Sequence, residues 1–160
     1  MLAEELRIRA SRVAFCAAVT VGLAALPSHA GAQDHDPAIA RSADDARLQW
    51  GPCPAFLPEG CQIAVLHGDP AKPNADVFFK VPANSKLPLH WHSSAERMVL
   101  VAGELHVTYE GQEVTILKPG MYAYGPARRP HSGSCAGVGP CVLFIAFESP
   151  VDAVPVEAKS

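Results

Sequence analysis

Between Gln62 and Phe147 the chain is punctuated too often to hold helices of useful length. Short apolar or alternating runs fall at 62–66, 76–81, 87–92, 97–101, 105–109, 113–117, 121–124, 131–134 and 141–147. Turn chemistry closes them: His67-Gly68-Asp69-Pro70, Pro82–Lys86, Glu110-Gly111 and Lys118-Pro119-Gly120. A period of two broken by Gly, Pro, Asn and Asp is the signature of strands joined by tight turns. Nine such runs at intervals of six to twelve residues predict an all-β chain closed as a sandwich or barrel.

A chain of 160 residues, 49% hydrophobic and 18% charged, has material for one domain with a real core. The net charge is −3, and no run of Lys or Arg persists after the first dozen residues, which argues against a nucleic-acid partner. Arg7, Arg9 and Arg12 precede an apolar run, Val13–Leu26, too short to span a bilayer. Small residues follow, with Ser28-His29-Ala30 or Ala30-Gly31-Ala32 as the cleavage candidate. Residues 1–32 therefore read as a secretory signal peptide, with an uncleaved anchor as the competing reading. Arg7 and Arg9 are not adjacent, so a twin-arginine signal is not supported. The expected product is exported to the periplasm or secreted, with no stable membrane insertion after cleavage. Residues 33–50 are polar and read as a flexible arm anchored only by Leu48 and Trp50. Residues 51–150 form the barrel domain, and 151–160 a surface tail with little to pack.

Cysteine usage agrees with export. Cys16 lies in the apolar run, which leaves Cys53, Cys61, Cys135 and Cys141, an even count. Of three possible connectivities, Cys53–Cys61 and Cys135–Cys141 are expected, because each pair brackets a segment rich in Pro or Gly. A thiolate metal site is the rival, but no Cys-x-x-Cys occurs.

Chemistry concentrates in Leu89–Gly103. His90 and His92 alternate about Trp91, and in an extended strand such residues point to one face, roughly 7 Å apart. Ser93-Ser94-Ala95 is a polar break that can turn the chain and return Glu96 from the next strand. The stretch thus offers a cation two nitrogens and one oxygen. His29 and His35 lie in the signal and the arm, His67 in a turn, and His106 reads as a surface histidine. His131 differs, since a turn, a strand and a proline-flanked bend from Gly120 to Pro130 lead into it.

The stretch from Leu89 to His131 resembles the two motifs of the cupin superfamily. The first is matched without a gap by His90, His92, Glu96 and Gly103, the second by Gly120, Pro126 and His131. Three positions depart from the pattern: Asn84 and Arg128 stand where glycines are usual, and Cys135 where an Asn is usual. The segment Leu57–Pro70 also resembles the lead-in of small exported single-domain cupins. The resemblance implies a double-stranded β-helix, a jelly-roll barrel, with His90, His92, Glu96 and His131 as metal ligands projecting inward at one end. It further implies one divalent transition metal, Mn, Fe, Ni, Co, Cu or Zn, which an N₃O donor set does not distinguish. A homodimer is expected by the same analogy.

Three imidazoles and a carboxylate leave one or two coordination positions open to water or substrate. Met98, Leu100, Tyr122, Tyr124, Phe144 and Phe147 are candidate lining residues, with plain core packing as the alternative for each. Arg128 and Arg129 stand on the bend before His131, where they could receive an anionic substrate bidentately, with solvated surface arginines as the alternative. Two functions remain open. One is a metal-dependent oxygenase, isomerase or lyase acting on a small organic molecule. The other is a non-catalytic periplasmic module that binds a metal or small ligand.

Overall fold

A computed structural model describes residues 36–157, and the signal-peptide reading of 1–32 lies outside the described residues. The fold belongs to the compact unit that begins at Ile39. All nine expected runs are strands, and two more complete the set. In chain order they are β1 (Trp50–Pro52), β2 (Gln62–His67), β3 (Ala75–Val81), β4 (Lys86–Trp91), β5 (Glu96–Ala102) and β6 (Glu104–Tyr109). Then follow β7 (Thr115–Leu117), β8 (Tyr122–Gly125), β9 (His131–Ala136), β10 (Cys141–Phe147) and β11 (Val154–Pro155). Every pairing is antiparallel. One sheet has six strands in the order β1-β2-β3-β10-β5-β8, the other five in the order β11-β4-β9-β6-β7. The non-consecutive neighbours mean that the chain crosses repeatedly between sheets, so each sheet draws strands from early and late in the sequence.

Alternation decides what each strand gives the interior. Met98 and Leu100 of β5, Leu105 and Val107 of β6, and Leu143, Ile145 and Phe147 of β10 are buried in one cluster with Val77 and Val81 of β3. Their neighbours Arg97, Val101 and Glu148 are exposed. A smaller cluster of Leu48, Ala64, Phe78 and Val142, with Trp50 and Phe144 packed against it, involves the opposite side chains of β2, β3 and β10.

Leu48 and Trp50 pack against the domain, and residues 151–156 are tied to it more firmly than a loose surface tail would be. Leu48 is buried, Trp50 opens β1 by pairing with Ala64, and the Lys80 ammonium sits 3.7 Å above the Trp50 ring. At the other end β11 pairs with β4, Val151 N–H donates to Pro70 O at 2.8 Å, and Val156 N–H to Leu89 O at 3.0 Å. Both segments find a sheet edge with unsatisfied backbone groups, a partner that hydrophobic patterning does not reveal.

Both disulfides join the cysteines nearest in sequence. Cys53–Cys61 spans 5.5 Å between Cα atoms, and Cys135–Cys141 spans 5.7 Å. The second links β9 of the five-stranded sheet to β10 of the six-stranded one. Gly103, between β5 and β6, has φ +84°, and a Cβ there would come 2.8 Å from Pro140 O and 2.9 Å from Cys141 Cα. No other residue fits this approach. Asn84 and Arg128 also adopt left-handed backbone, with φ 56° and 60°. The conformation that glycine usually supplies is therefore kept at both positions without it. Asn tolerates it readily, and Arg does so at a cost of about 1 kcal/mol.

Candidate metal centre

β4 and β9 are paired so that His90 lies directly opposite His131, and β9 and β6 so that His131 lies opposite Tyr109. Residues opposite one another in antiparallel strands project from the same face, so register alone makes a row of three rings across the five-stranded sheet. The centroids of His90 and His131 are 4.3 Å apart, and those of His131 and Tyr109 4.7 Å. His92 lies one residue beyond the end of β4, its ring 5.0 Å from that of His90 and 5.3 Å from that of His131. One ligand atom from each of the three histidines lies within 4.8 Å of the other two, close enough to share an ion.

Glu96 arrives from the opposite sheet. The Ser93-Ser94-Ala95 break does turn the chain, and Glu96 is the first residue of β5. Ser94 explains why the turn is tight. Buried to 1% exposure, its hydroxyl accepts the amides of Glu148 and Ser149 at 2.8 and 3.0 Å, tying the bend to the end of β10. Glu96 Oε1 then lies 3.5 Å from His92 Nε2, and Oε2 3.9 Å from His131 Nε2.

Each imidazole is held from behind by a backbone carbonyl. His90 Nδ1 meets Pro88 O at 2.7 Å, His131 Nδ1 meets Arg129 O at 3.2 Å, and His92 Nδ1 makes a short contact with Asp152 O. A carbonyl can only accept, so each Nδ1 carries the proton and each Nε2 presents a lone pair. Asp152 fixes the loop as well, since its Oδ1 accepts the amide of Ser93 at 2.8 Å. The C-terminal segment is thus part of the site.

Burial makes the cluster electrically neutral without an ion. It lowers the pKa of His90, of His92 to about 4 and of His131 to about 3, the neighbouring imidazoles adding to the shift in the last two. It raises Glu96 to about 8, with the Asp152 charge contributing. Tyr109 is pushed upward by burial and by Glu96, and its hydroxyl, buried beside Gly125, has no hydrogen-bond partner.

The donor set fits a borderline divalent ion: three unprotonated nitrogens oriented by carbonyls, with the Glu96 carboxyl beside two of them and no Lys or Arg among the described residues around them. They close one end of a cavity of about 300 Å³. Met98 and Phe147 line it, as the sequence suggested, while Leu100 is packed in the core.

Tyr122, Tyr124, Phe144 and Arg128 are not brought to the cavity. Tyr122 and Tyr124 are 61% and 54% exposed, because Ala123 and Gly125 take the inward positions of β8. Phe144 lies in the smaller cluster beside Trp50. Arg128 is exposed, and its contribution to the site is a backbone one, an N–H donated to His92 O at 2.7 Å. Arg129 reaches away to Glu110 O, and His106 pairs with Glu104 at 2.9 Å. Sequence reasoning missed Ser94, Tyr109 and Asp152. Only Tyr109 had a signal, as the third member of the alternating set Leu105, Val107, Tyr109.

Comparison with known proteins agrees with the geometry. The cupin domain family matches residues 77–147. A search of curated proteins found no match. Among solved structures, the polyketide cyclase RemF from Streptomyces resistomycificus superposes with a TM-score of 0.61 at 15% identity, covering 76% of this chain and 88% of that one. The DMSP lyase DddQ from Ruegeria pomeroyi gives 0.58 at 21% identity, covering 68% of this chain and 60% of that one. An RmlC-like cupin from Shewanella frigidimarina gives 0.54 at 19% identity, covering 66% and 86%. The chain spans about 60% of the length of the lyase it resembles. At these identities the likeness is one of fold: two antiparallel sheets closed as a double-stranded β-helix. Residues 77–147 of the protein are a cupin domain.

Proposed function

We propose that the protein is an exported, mononuclear metal-dependent enzyme, an oxygenase, isomerase or lyase, acting on a small organic substrate. His90, His92, His131 and Glu96 hold the ion. The observation that carries this reading is the fixing of all three Nδ1 atoms by backbone carbonyls, which leaves three Nε2 lone pairs clustered in the cavity, those of His92 and His131 within 4 Å of Glu96. Unprotonated nitrogens gathered without a donor have no purpose in a purely structural core, where burying them costs free energy. When bound, a divalent ion supplies Lewis acidity and a site at which an oxygen of water or substrate is activated.

The chain's own groups do the rest. The carbonyls of Pro88, Arg129 and Asp152 hold the imidazole rings, Ser94 holds the bend that delivers Glu96, and the apolar wall shapes the space beside them. Glu96, if it ligates, is not free as a base, so proton transfer falls to the substrate or to water. The lyase and cyclase activities of two structural neighbours support the enzyme reading without selecting a reaction. The paired disulfides suit an oxidising compartment, and a homodimer remains part of the proposal.

The test is elemental analysis of the purified mature protein, followed by product formation and oxygen uptake over a panel of small ketones, phenols and organic acids. One equivalent of metal with turnover that His92→Ala abolishes supports the enzyme. Stoichiometric metal or ligand binding without turnover selects a non-catalytic binding module instead. A folded chain that takes up no ion after reconstitution overturns both.

A further inference from the structure

Beyond the ion's own ligands, the cavity is a container of restricted chemistry. The five-stranded sheet contributes Leu87 and Val107 and the six-stranded sheet Phe79, Leu143 and Ile145. No Lys or Arg lines it among the described residues, so an anion entering it meets no countercharge. The acidic groups at its wall are the carboxyls of Glu96 and Asp152, and one oxygen of Asp152 already accepts Ser93 N–H. The three histidine Nδ1 protons are spent on backbone carbonyls, and the Tyr109 hydroxyl is covered. The side walls therefore offer little to pair with a second polar group on a ligand, and an unpaired buried polar group is costly.

We propose that this cavity takes an uncharged, predominantly apolar small molecule, a ring or branched chain carrying a single polar group at the histidine end. This rests on reading the cavity as the working site and names its substrate class. Arg128 and Arg129, the arginines placed near the mouth by sequence reasoning, both lie outside the lining, Arg128 exposed and Arg129 bonded to Glu110 O, so the structure removes the reason to expect an anion. Size sets the second limit. A dry cavity of about 150 Å³ takes up benzene, so one of about 300 Å³ holds a substituted ring and excludes much larger ligands.

The experiment compares five probes of similar size on the full mature chain stripped of metal, by titration calorimetry and thermal shift. They are 4-methylacetophenone (neutral, one carbonyl), 4-ethyltoluene (no polar group), 4-methylbenzoate (an anion), 4-methylbenzylammonium (a cation) and myo-inositol (a neutral polyol). The ketone and the hydrocarbon are expected to bind at least about tenfold more tightly than either ion or the polyol. Val107→Phe, which fills part of the cavity, is expected to weaken both by a similar factor, locating the site; circular dichroism checks its fold. Should that variant not fold, the ranking on the wild-type chain decides alone. Tightest binding of the anion, cation or polyol, binding of none, or ketone affinity unchanged in folded Val107→Phe overturns the proposal. Mn²⁺ uptake by the same preparation is titrated separately. Mn²⁺ binding without ketone binding refutes the substrate class and spares the metal centre, and the converse result does the opposite.

Discussion

The two sheets of the barrel share the site unequally. The five-stranded sheet carries a cross-strand row, Tyr109–His131–His90, whose histidine nitrogens are aligned by register and by carbonyls from their own strand ends. The six-stranded sheet supplies one ligand-type group, Glu96, and a mostly apolar wall. Glu96 is placed by a bend that Ser94 and Asp152 fasten, rather than by a row of like neighbours. Nitrogen donors on a pleated surface are preorganised by the same hydrogen bonds that make the sheet. A carboxylate at a strand's first residue depends on loop contacts, and its charge must be created against burial.

The largest expected effect breaks the row. His131→Ala should lower affinity for Mn²⁺ or Zn²⁺ by more than about 100-fold, beyond the 10- to 100-fold typical of an outer partner. Glu96→Gln should cost less, since it keeps an oxygen and all three nitrogens. Calorimetric titration of both variants sharpens the comparison, and equal losses would erase the distinction between the sheets.

Next in size is the pH dependence of the metal-free protein. The histidines have folded pKa values depressed below 6.5, so the unfolded chain binds more protons below that pH and their contribution rises as pH climbs to 6.5. Glu96 has its folded pKa raised from 4.5 to about 8, so its contribution is present below 4.5 and is lost as pH rises toward 8. Between 4.5 and 6.5 three imidazoles outweigh one carboxyl, and between 6.5 and 8 the carboxyl acts alone. Each proton difference is worth about 1.4 kcal/mol per pH unit. Denaturant unfolding across this range should show maximal stability near pH 6.5. Glu96→Gln should flatten the alkaline limb and leave the acid limb in place.

Ser94→Ala orphans two amides at the loop that delivers Glu96. A loss of about 1–3 kcal/mol in denaturant unfolding is expected, with metal affinity falling as well because the bend loosens. The smallest effect is that of Arg128→Gly. Relief of the left-handed strain is partly offset by greater freedom of the unfolded chain, so stability should rise by less than about 1 kcal/mol in the same measurement.

Much of this was legible in the sequence because strands and turns are local. Runs such as Cys141–Phe147 begin and end where Gly, Pro and Asn permit, and the disulfides follow short spacings. His90, His92 and Glu96 were legible as candidate ligands because they lie within seven residues, and His131 joined them through the resemblance to the second cupin motif. The face chosen by β8 was not. Tyr122-Ala123-Tyr124-Gly125 alternates large and small, a pattern that suits either orientation, and the small pair turns inward where Tyr109 needs the space above Gly125.

The sequence by itself determined an all-β chain, its turns and the ion-binding chemistry of Leu89–Gly103, since each of these depends on neighbours a few positions away, and it favoured the cysteine pairing without fixing it. Tertiary structure alone decided that Tyr109 stands beside His131, that Asp152 braces His92 from sixty residues downstream, and that the cavity holds no arginine. Those contacts depend on strand register and sheet order, which couple distant segments through backbone hydrogen bonds that carry no mark of side-chain identity.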